Sequence, residues 1–325
     1  MPDRSADGIL TFGWCLFQTM SVVKFPDAGG CSMTLMDVDG RYLTASASPD
    51  HWHSLRTMKT RCDDVYICSY PKSGFHWIWE IVAMLRSGAS TPIQELMEGH
   101  ITDFMKLDDL ERQASPRTLT THRYSVELPE EIFHMGCKII YLVRDPKDIC
   151  VSYYHHLTQL KRLDYEGHFS DFVLLFLEGK VPFNSWWEHI KRWSAMKVKY
   201  PETPLLVVSY EDMKQDPVGG IKRLAAFLEV DVAEDVINNI AKNTEFTTMK
   251  SAKEQLENKL VSYYKCGKEI MYRKGEVGDW KHWFTGARNK EFEDFINTKL
   301  QGSHFSALVS PDRYPWLRTT KFGHL

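Results

Sequence analysis

Val65-Tyr66-Ile67-Cys68-Ser69-Tyr70-Pro71-Lys72-Ser73-Gly74 decides the fold. Its first half, Val65–Ser69, is a short β-rich run and predicts a strand. The segment after Gly74, from Trp77 to Leu85, predicts a helix. A strand, a tight turn with Lys, Ser and Gly, then a helix start is the architecture that holds a phosphate. Exposed N–H groups at the helix start point at the anion, and the helix dipole favours negative charge there. Lys72 adds a mobile point charge. A full nucleoside-triphosphate loop reads G-x-x-x-x-G-K-[ST]; here the lysine precedes the glycine and the first glycine is missing. Taken alone, the stretch reads equally well as an ordinary strand-to-helix turn.

Outward from this stretch, strand-like and helix-like segments alternate. Thr118–Thr121 is short and β-branched. Lys138–Val143 is almost wholly apolar, as expected of a strand buried on both faces of a parallel sheet. Leu205–Val208 predicts a further buried strand. Helices are predicted over Asp148–Leu160, Ser185–Lys199, Ile221–Leu228 and Val232–Ala241. This order predicts an α/β fold: one parallel sheet with helices on both faces. The expected organisation is an N-terminal extension over residues 1–34, poorly ordered or preceding the true start at Met33 or Met36. A single domain follows over 35–300, then a tail over 301–325 with Pro311, Pro315 and Trp316.

Composition sets limits. A length of 325 residues and 43% hydrophobic content suit one large core. A formal net charge of −3 argues against a general nucleic-acid binder. Positive charge must then act locally. The seven cysteines show no zinc spacing, so no metal is expected. Reduced thiols in a cytoplasmic protein explain them best. The apolar patch Ile9–Phe17 is shorter than a membrane span, so no membrane partner is expected either.

Two more motifs carry cations. In Tyr141-Leu142-Val143-Arg144-Asp145-Pro146-Lys147-Asp148, Arg144 sits at the end of a buried strand, where ligands bind in open α/β sheets. Ser152, in the following helix, is within reach of the same anion. Pairing of Arg144 with Asp145 or Asp148 at the surface is the plainer alternative. In Arg273-Lys274-Gly275-Glu276-Val277-Gly278-Asp279-Trp280-Lys281, two cations stand beside glycines that permit close backbone approach to a phosphate. A solvated basic loop reads the same way. Two separated anion clamps imply a ligand with phosphate at two places.

The three motifs in this order resemble the cytosolic sulfotransferase family, over about residues 35 to 300. Its members move a sulfuryl group from 3′-phosphoadenosine-5′-phosphosulfate (PAPS) to a hydroxyl or amine of a small-molecule acceptor. The resemblance implies that Lys72, Ser73, Gly74 and the N–H groups of Phe75 and His76 hold the 5′-phosphosulfate. It assigns Arg144, Ser152, Arg273, Lys274 and Gly275 to the 3′-phosphate, and Trp77 and Phe246 to the adenine. Tyr210, Thr244 and Met249 complete the nucleotide site. His122 matches the general base, with Lys72 stabilising the leaving phosphate, and His156 and Phe183 fall in the acceptor pocket.

The chain also departs from the family. Phe75-His76 replace two threonines, so two hydroxyl donors are lost and weaker PAPS binding is expected. Thr120 stands where a lysine is common. The dimer motif K-x-x-x-T-V-x-x-x-E retains Lys281 and Thr285, but Gly286 replaces Val and Lys290 replaces Glu. A monomer or weak homodimer is therefore expected. The rival readings are a weakly active or non-catalytic protein of the same fold that binds PAPS or its product PAP, and a kinase-like P-loop enzyme. The latter lacks a fuller loop and a magnesium carboxylate.

Overall fold

A computed structural model of the chain describes residues 20–44, 48–257, 261–265 and 271–301. Two sheets are present among them. The larger is parallel, in the order β5-β4-β6-β7, from β4 (Val65–Ser69), β5 (Thr118–Thr121), β6 (Lys138–Val143) and β7 (Leu205–Ser209). Val65 pairs with Thr118 on one side and Lys138 on the other, and Ile139 pairs with Leu205.

The pleat sends alternate residues to opposite faces. Tyr66, Cys68, Ile139, Tyr141 and Val143 meet α4 (Pro146–Gln159), α5 (Phe169–Leu177), α6 (Trp186–Lys199) and α11 (Gly286–Leu300). Val65, Ile67, Ile140, Leu142 and Val208 meet α2 (Phe75–Ser87), α8 (Pro217–Leu228) and α9 (Glu234–Asn243). Shorter helices α1 (Pro49–Ser54), α3 (Leu107–Arg112) and α7 (Tyr210–Gln215), with α10 (Phe246–Glu257), complete the α-helical elements described. Local chemistry sets several starts. Asp145 caps α4 by accepting from the Lys147 N–H at 2.8 Å, with Pro146 next in line. Ser209 caps α7 and Asp216 caps α8 in the same manner.

The smaller sheet corrects the expected boundary at residue 35. β1 (Met20–Pro26), β2 (Ser32–Val38) and β3 (Arg41–Leu43) form an antiparallel meander. Residue 35 lies within β2, and residues 20–34 are strand and turn rather than loose extension. The physical reason is burial: Met33, Leu35, Val38 and Leu43 all face the interior. Asp39 and Gly40 make the β2–β3 turn with φ of 52° and 82°, the left-handed pair that suits a tight hairpin. The patch Ile9–Phe17 and the tail with Pro311, Pro315 and Trp316 lie outside the described residues.

This meander reaches the site. The Phe183 N–H donates to the Tyr42 carbonyl at 2.7 Å, and the Tyr42 N–H donates to Asn184 Oδ1 at 2.8 Å. These bonds hold Phe183 and Asn184 at φ of 65° and 60°, conformations that L-residues otherwise avoid. Val38, Leu43, Trp52 and Phe183 form a small cluster of their own. No described helix is long and apolar enough to cross a membrane.

Candidate active site

A cavity of about 790 Å³ opens along the carboxyl ends of β4, β5, β6 and β7. Its walls include Lys72, Gly74, Phe75, His76, Trp77, His122, Arg144 and Ser152. His156, Phe183, Tyr210, Thr244, Phe246, Met249, Arg273, Lys274 and Gly275 also line it. Residues more than 200 positions apart thus share one hollow. Ser73 is buried behind the turn instead, its hydroxyl donating to the Tyr70 carbonyl at 2.8 Å.

The turn after β4 has an unusual backbone. Lys72 has φ of 68° and Gly74 of 102°. A Cβ at Gly74 would stand 2.6 Å from the Tyr210 ring, so only glycine permits this approach. Tyr210 in turn packs on Trp77 edge-to-face at 5.5 Å and lies 4.2 Å beneath the Arg144 guanidinium. Arg144 ties the first motif to the third: Nη1 donates to the Lys72 carbonyl at 3.0 Å and Nη2 to the Glu276 carbonyl at 3.1 Å. Asp145 and Asp148 are committed elsewhere, so the surface ion pair considered for Arg144 does not form.

Asp148 is a site residue whose role the sequence did not reveal. Fully buried on α4, it accepts from the Gly278 N–H at 2.7 Å and the Trp280 N–H at 3.0 Å. It therefore anchors the loop bearing Arg273 and Lys274. Both of those cations contact Asp279, each at 2.6 Å. Burial works to raise the Asp279 carboxyl, yet Lys274 and Arg273 hold it below the ordinary carboxylate range. Gly275 has φ of 67°, and a Cβ there would overlap Phe246.

An anion with two phosphates fits this architecture on three observations. Arg144 Nε, Arg273 Nε and Trp77 Nε1 are buried without a hydrogen-bond partner among the described residues. The glycines leave space that a side chain would fill. The cations gather at two places, one at the α2 start and one at the α4–loop junction.

At the other end stands His122, half-buried at the end of β5. Its Nδ1 lies 2.8 Å from the Ser69 carbonyl, so Nδ1 carries the proton and Nε2 keeps a lone pair. Its backbone N–H donates to Asp103 Oδ2 at 2.7 Å. Asp103 also pairs with Arg123 Nε at 3.2 Å and accepts from the Thr121 hydroxyl at 2.9 Å. Burial depresses the His122 pKa; Asp103 opposes this, while His76 and Lys72 add to it. The imidazole is therefore kept neutral. Phe75 lies against it at 4.5 Å between centroids and Phe183 at 5.2 Å. Burial, then Lys72, drives His156 still further down. His156 Nδ1 is buried without a partner among the described residues. Thr120 spends its hydroxyl on the His100 carbonyl at 3.1 Å.

A neutral imidazole and two groups of cations thus line one cavity of an α/β, P-loop-like fold. The comparisons narrow the class. The family model for the sulfotransferase domain matches residues 62–304. Human sulfotransferase 1C2 is 32% identical over 291 residues, covering 84% of this chain and 95% of that protein. Mouse sulfotransferase 1 family member D1 is 33% identical over 288 residues, covering 83% and 94%. The crystal structure of mouse sulfotransferase SULT7A1 complexed with PAP superposes with a TM-score of 0.70. It has 30% sequence identity and covers 85% of this chain and 97% of that one. Retinol dehydratase in a complex with retinol and PAP shares the fold, with a TM-score of 0.69 at 22% identity. This chain belongs to the sulfotransferase family, and its enzyme class is that of a sulfotransferase.

Proposed function

We propose that the protein transfers the sulfuryl group of PAPS to the hydroxyl or amine of a small-molecule acceptor, with His122 as general base. The observation that carries this reading is the 2.8 Å contact between His122 Nδ1 and the Ser69 carbonyl, which leaves Nε2 to accept a proton. The acceptor O–H gives its proton to Nε2 as its oxygen bonds to sulfur. The bond from sulfur to the bridging oxygen breaks, and that oxygen leaves with the electron pair on the 5′-phosphate of PAP. Lys72 and the N–H groups at the start of α2 stabilise the charge that develops there. Arg144, Arg273 and Lys274 hold the 3′-phosphate, with Ser152 and Gly275 beside them. Trp77 and Phe246 flank the adenine, while Tyr210, Thr244 and Met249 shape its surroundings. Holding both reactants in line removes the entropic cost of their encounter.

Free thiols at Cys31, Cys62, Cys68, Cys137 and Cys150 suit a reducing, cytoplasmic setting. Transfer of labelled sulfate from PAPS across a panel of hydroxyl and amine compounds tests the reading. Turnover that survives in both His122→Ala and Lys72→Ala removes these residues from the mechanism.

A second reading, a PAP- or PAPS-binding protein of low activity, is favoured by one contact. Phe75 packs beside the His122 ring with centroids 4.5 Å apart and narrows the space through which an acceptor reaches Nε2. Tight nucleotide binding in calorimetry, with no turnover across the panel, would select it.

A further inference from the structure

Phe75 and His76 stand where the family resemblance places two hydroxyl side chains. His76 lies in the first turn of α2 and lines the cavity together with Lys72 and His122. Its Nε2 is 2.9 Å from Glu98 Oε1. The other carboxylate oxygen, Glu98 Oε2, is buried without a partner among the described residues. Burial works to raise Glu98, yet His76 holds it below the usual carboxylate range. The pair is thus built around an ionised carboxylate.

The chemistry of the ring decides what it offers a ligand. With Nε2–H given to Glu98, a neutral ring presents an acceptor at Nδ1, which repels an anion. A protonated ring presents a donor at both nitrogens. Charged groups reach this place from several elements. Lys72, on the turn after β4, lines the same cavity. His122, just after β5, and His156, on α4, are each disfavoured as cations by His76. Lys253 of α10 acts on Glu98, and the Tyr272 ring stands edge-on at 6.4 Å. An incoming 5′ anion adds the negative charge that tips this balance towards imidazolium.

We propose that His76, with Glu98 as its counter-ion, is a proton-dependent ligand of the donor's 5′ anion. Binding places a proton on the imidazole, and the charged ring replaces the two missing hydroxyls. The inference rests on the functional reading above, which puts the 5′ end of the nucleotide at the start of α2.

The test is calorimetry of PAP binding from pH 5.5 to 8.5 for the wild type, His76→Thr and Glu98→Gln. One ligand serves all three proteins, so its own phosphate ionisation cancels in the comparison. At the acid end, both variants are expected to bind about tenfold more weakly than wild type, the value of one charge-assisted hydrogen bond. At the alkaline end, where an imidazole is neutral in either state, the Glu98→Gln deficit vanishes and His76→Thr, with a hydroxyl to donate, binds at least as tightly as wild type. Titrations in two buffers of different ionisation enthalpy should show more proton uptake by the wild type. Wild-type binding of PAP with a deficit independent of pH, or with equal proton uptake, overturns this inference alone. Absence of PAP binding by the wild type at every pH overturns the functional reading as well.

Discussion

Asp148→Asn probes the anchor of the loop bearing Arg273 and Lys274, proposed above to hold the 3′-phosphate, with little change of shape. One carboxylate receives two backbone N–H groups, from Gly278 at 2.7 Å and Trp280 at 3.0 Å. A hydrogen bond to a charged group contributes about 1.5–3 kcal/mol. The amide keeps one acceptor oxygen and turns an NH2 towards the second donor, so one bond is lost and the other loses its charge. A net loss of about 2 kcal/mol follows, equivalent to roughly 30-fold in a dissociation constant. The loss falls on the loop that carries Arg273 and Lys274, not on the α2 start. Calorimetry with PAP and with adenosine 5′-phosphosulfate, which lacks the 3′-phosphate, separates the two ends. PAP should weaken by about 30-fold, while the comparison ligand stays within about twofold. An equal loss for both ligands, or none for PAP, refutes the anchoring argument.

Other expectations follow from the same geometry. Because the folded His122 pKa is depressed, its neutral form persists as pH falls. kcat/KM should therefore hold from neutrality through the ordinary imidazole range and drop only below it, and His122→Ala should lose about 10²–10⁴-fold wherever the imidazole is neutral, the deficit shrinking as wild-type activity falls. Gly74→Ala drives a Cβ into Tyr210 at a positive φ and should weaken nucleotide binding far more than it lowers Tm, read by calorimetry and thermal melts. Asp64→Ala leaves Arg117 unpaired at a site where both side chains are wholly buried; urea titration should show a loss of about 3–5 kcal/mol. Thr285 caps α11 and Lys281 is exposed. With Gly286 and Lys290 replacing the motif's Val and Glu, ultracentrifugation should find monomer or weak dimer, insensitive to Lys281→Ala.

The large sheet was legible because its strands are continuous apolar runs. Lys138–Val143 and Val65–Ser69 matched their predicted bounds, since burial on both faces makes each a nearly unbroken apolar run with a polar residue, Lys138 or Ser69, only at one end. The small meander was readable in principle: Asp39-Gly40 between alternating apolar residues is a hairpin signal. The expected extension over residues 1–34 nevertheless covers β1, whose residues are all exposed or half-buried and so give no strong apolar alternation. Helices α5, α10 and α11 also went unread. α5 is apolar on most sides, α11 shows weak helical periodicity, and α10 begins at Phe246, beside the nucleotide motif.

What the sequence alone determined is the inventory: a strand, a turn with Lys, Ser and Gly, cations at two further places and a histidine after the turn. Types and order of residues carry that much, because backbone donors, charge and imidazole chemistry are local properties. Which carboxylates hold the clamps was decided only by the tertiary structure. Asp148, Asp103 and Glu98 act on partners 130, 19 and 22 positions away. No spacing rule encodes such pairs, since the parallel sheet and the helices packed on it bring them within hydrogen-bonding distance.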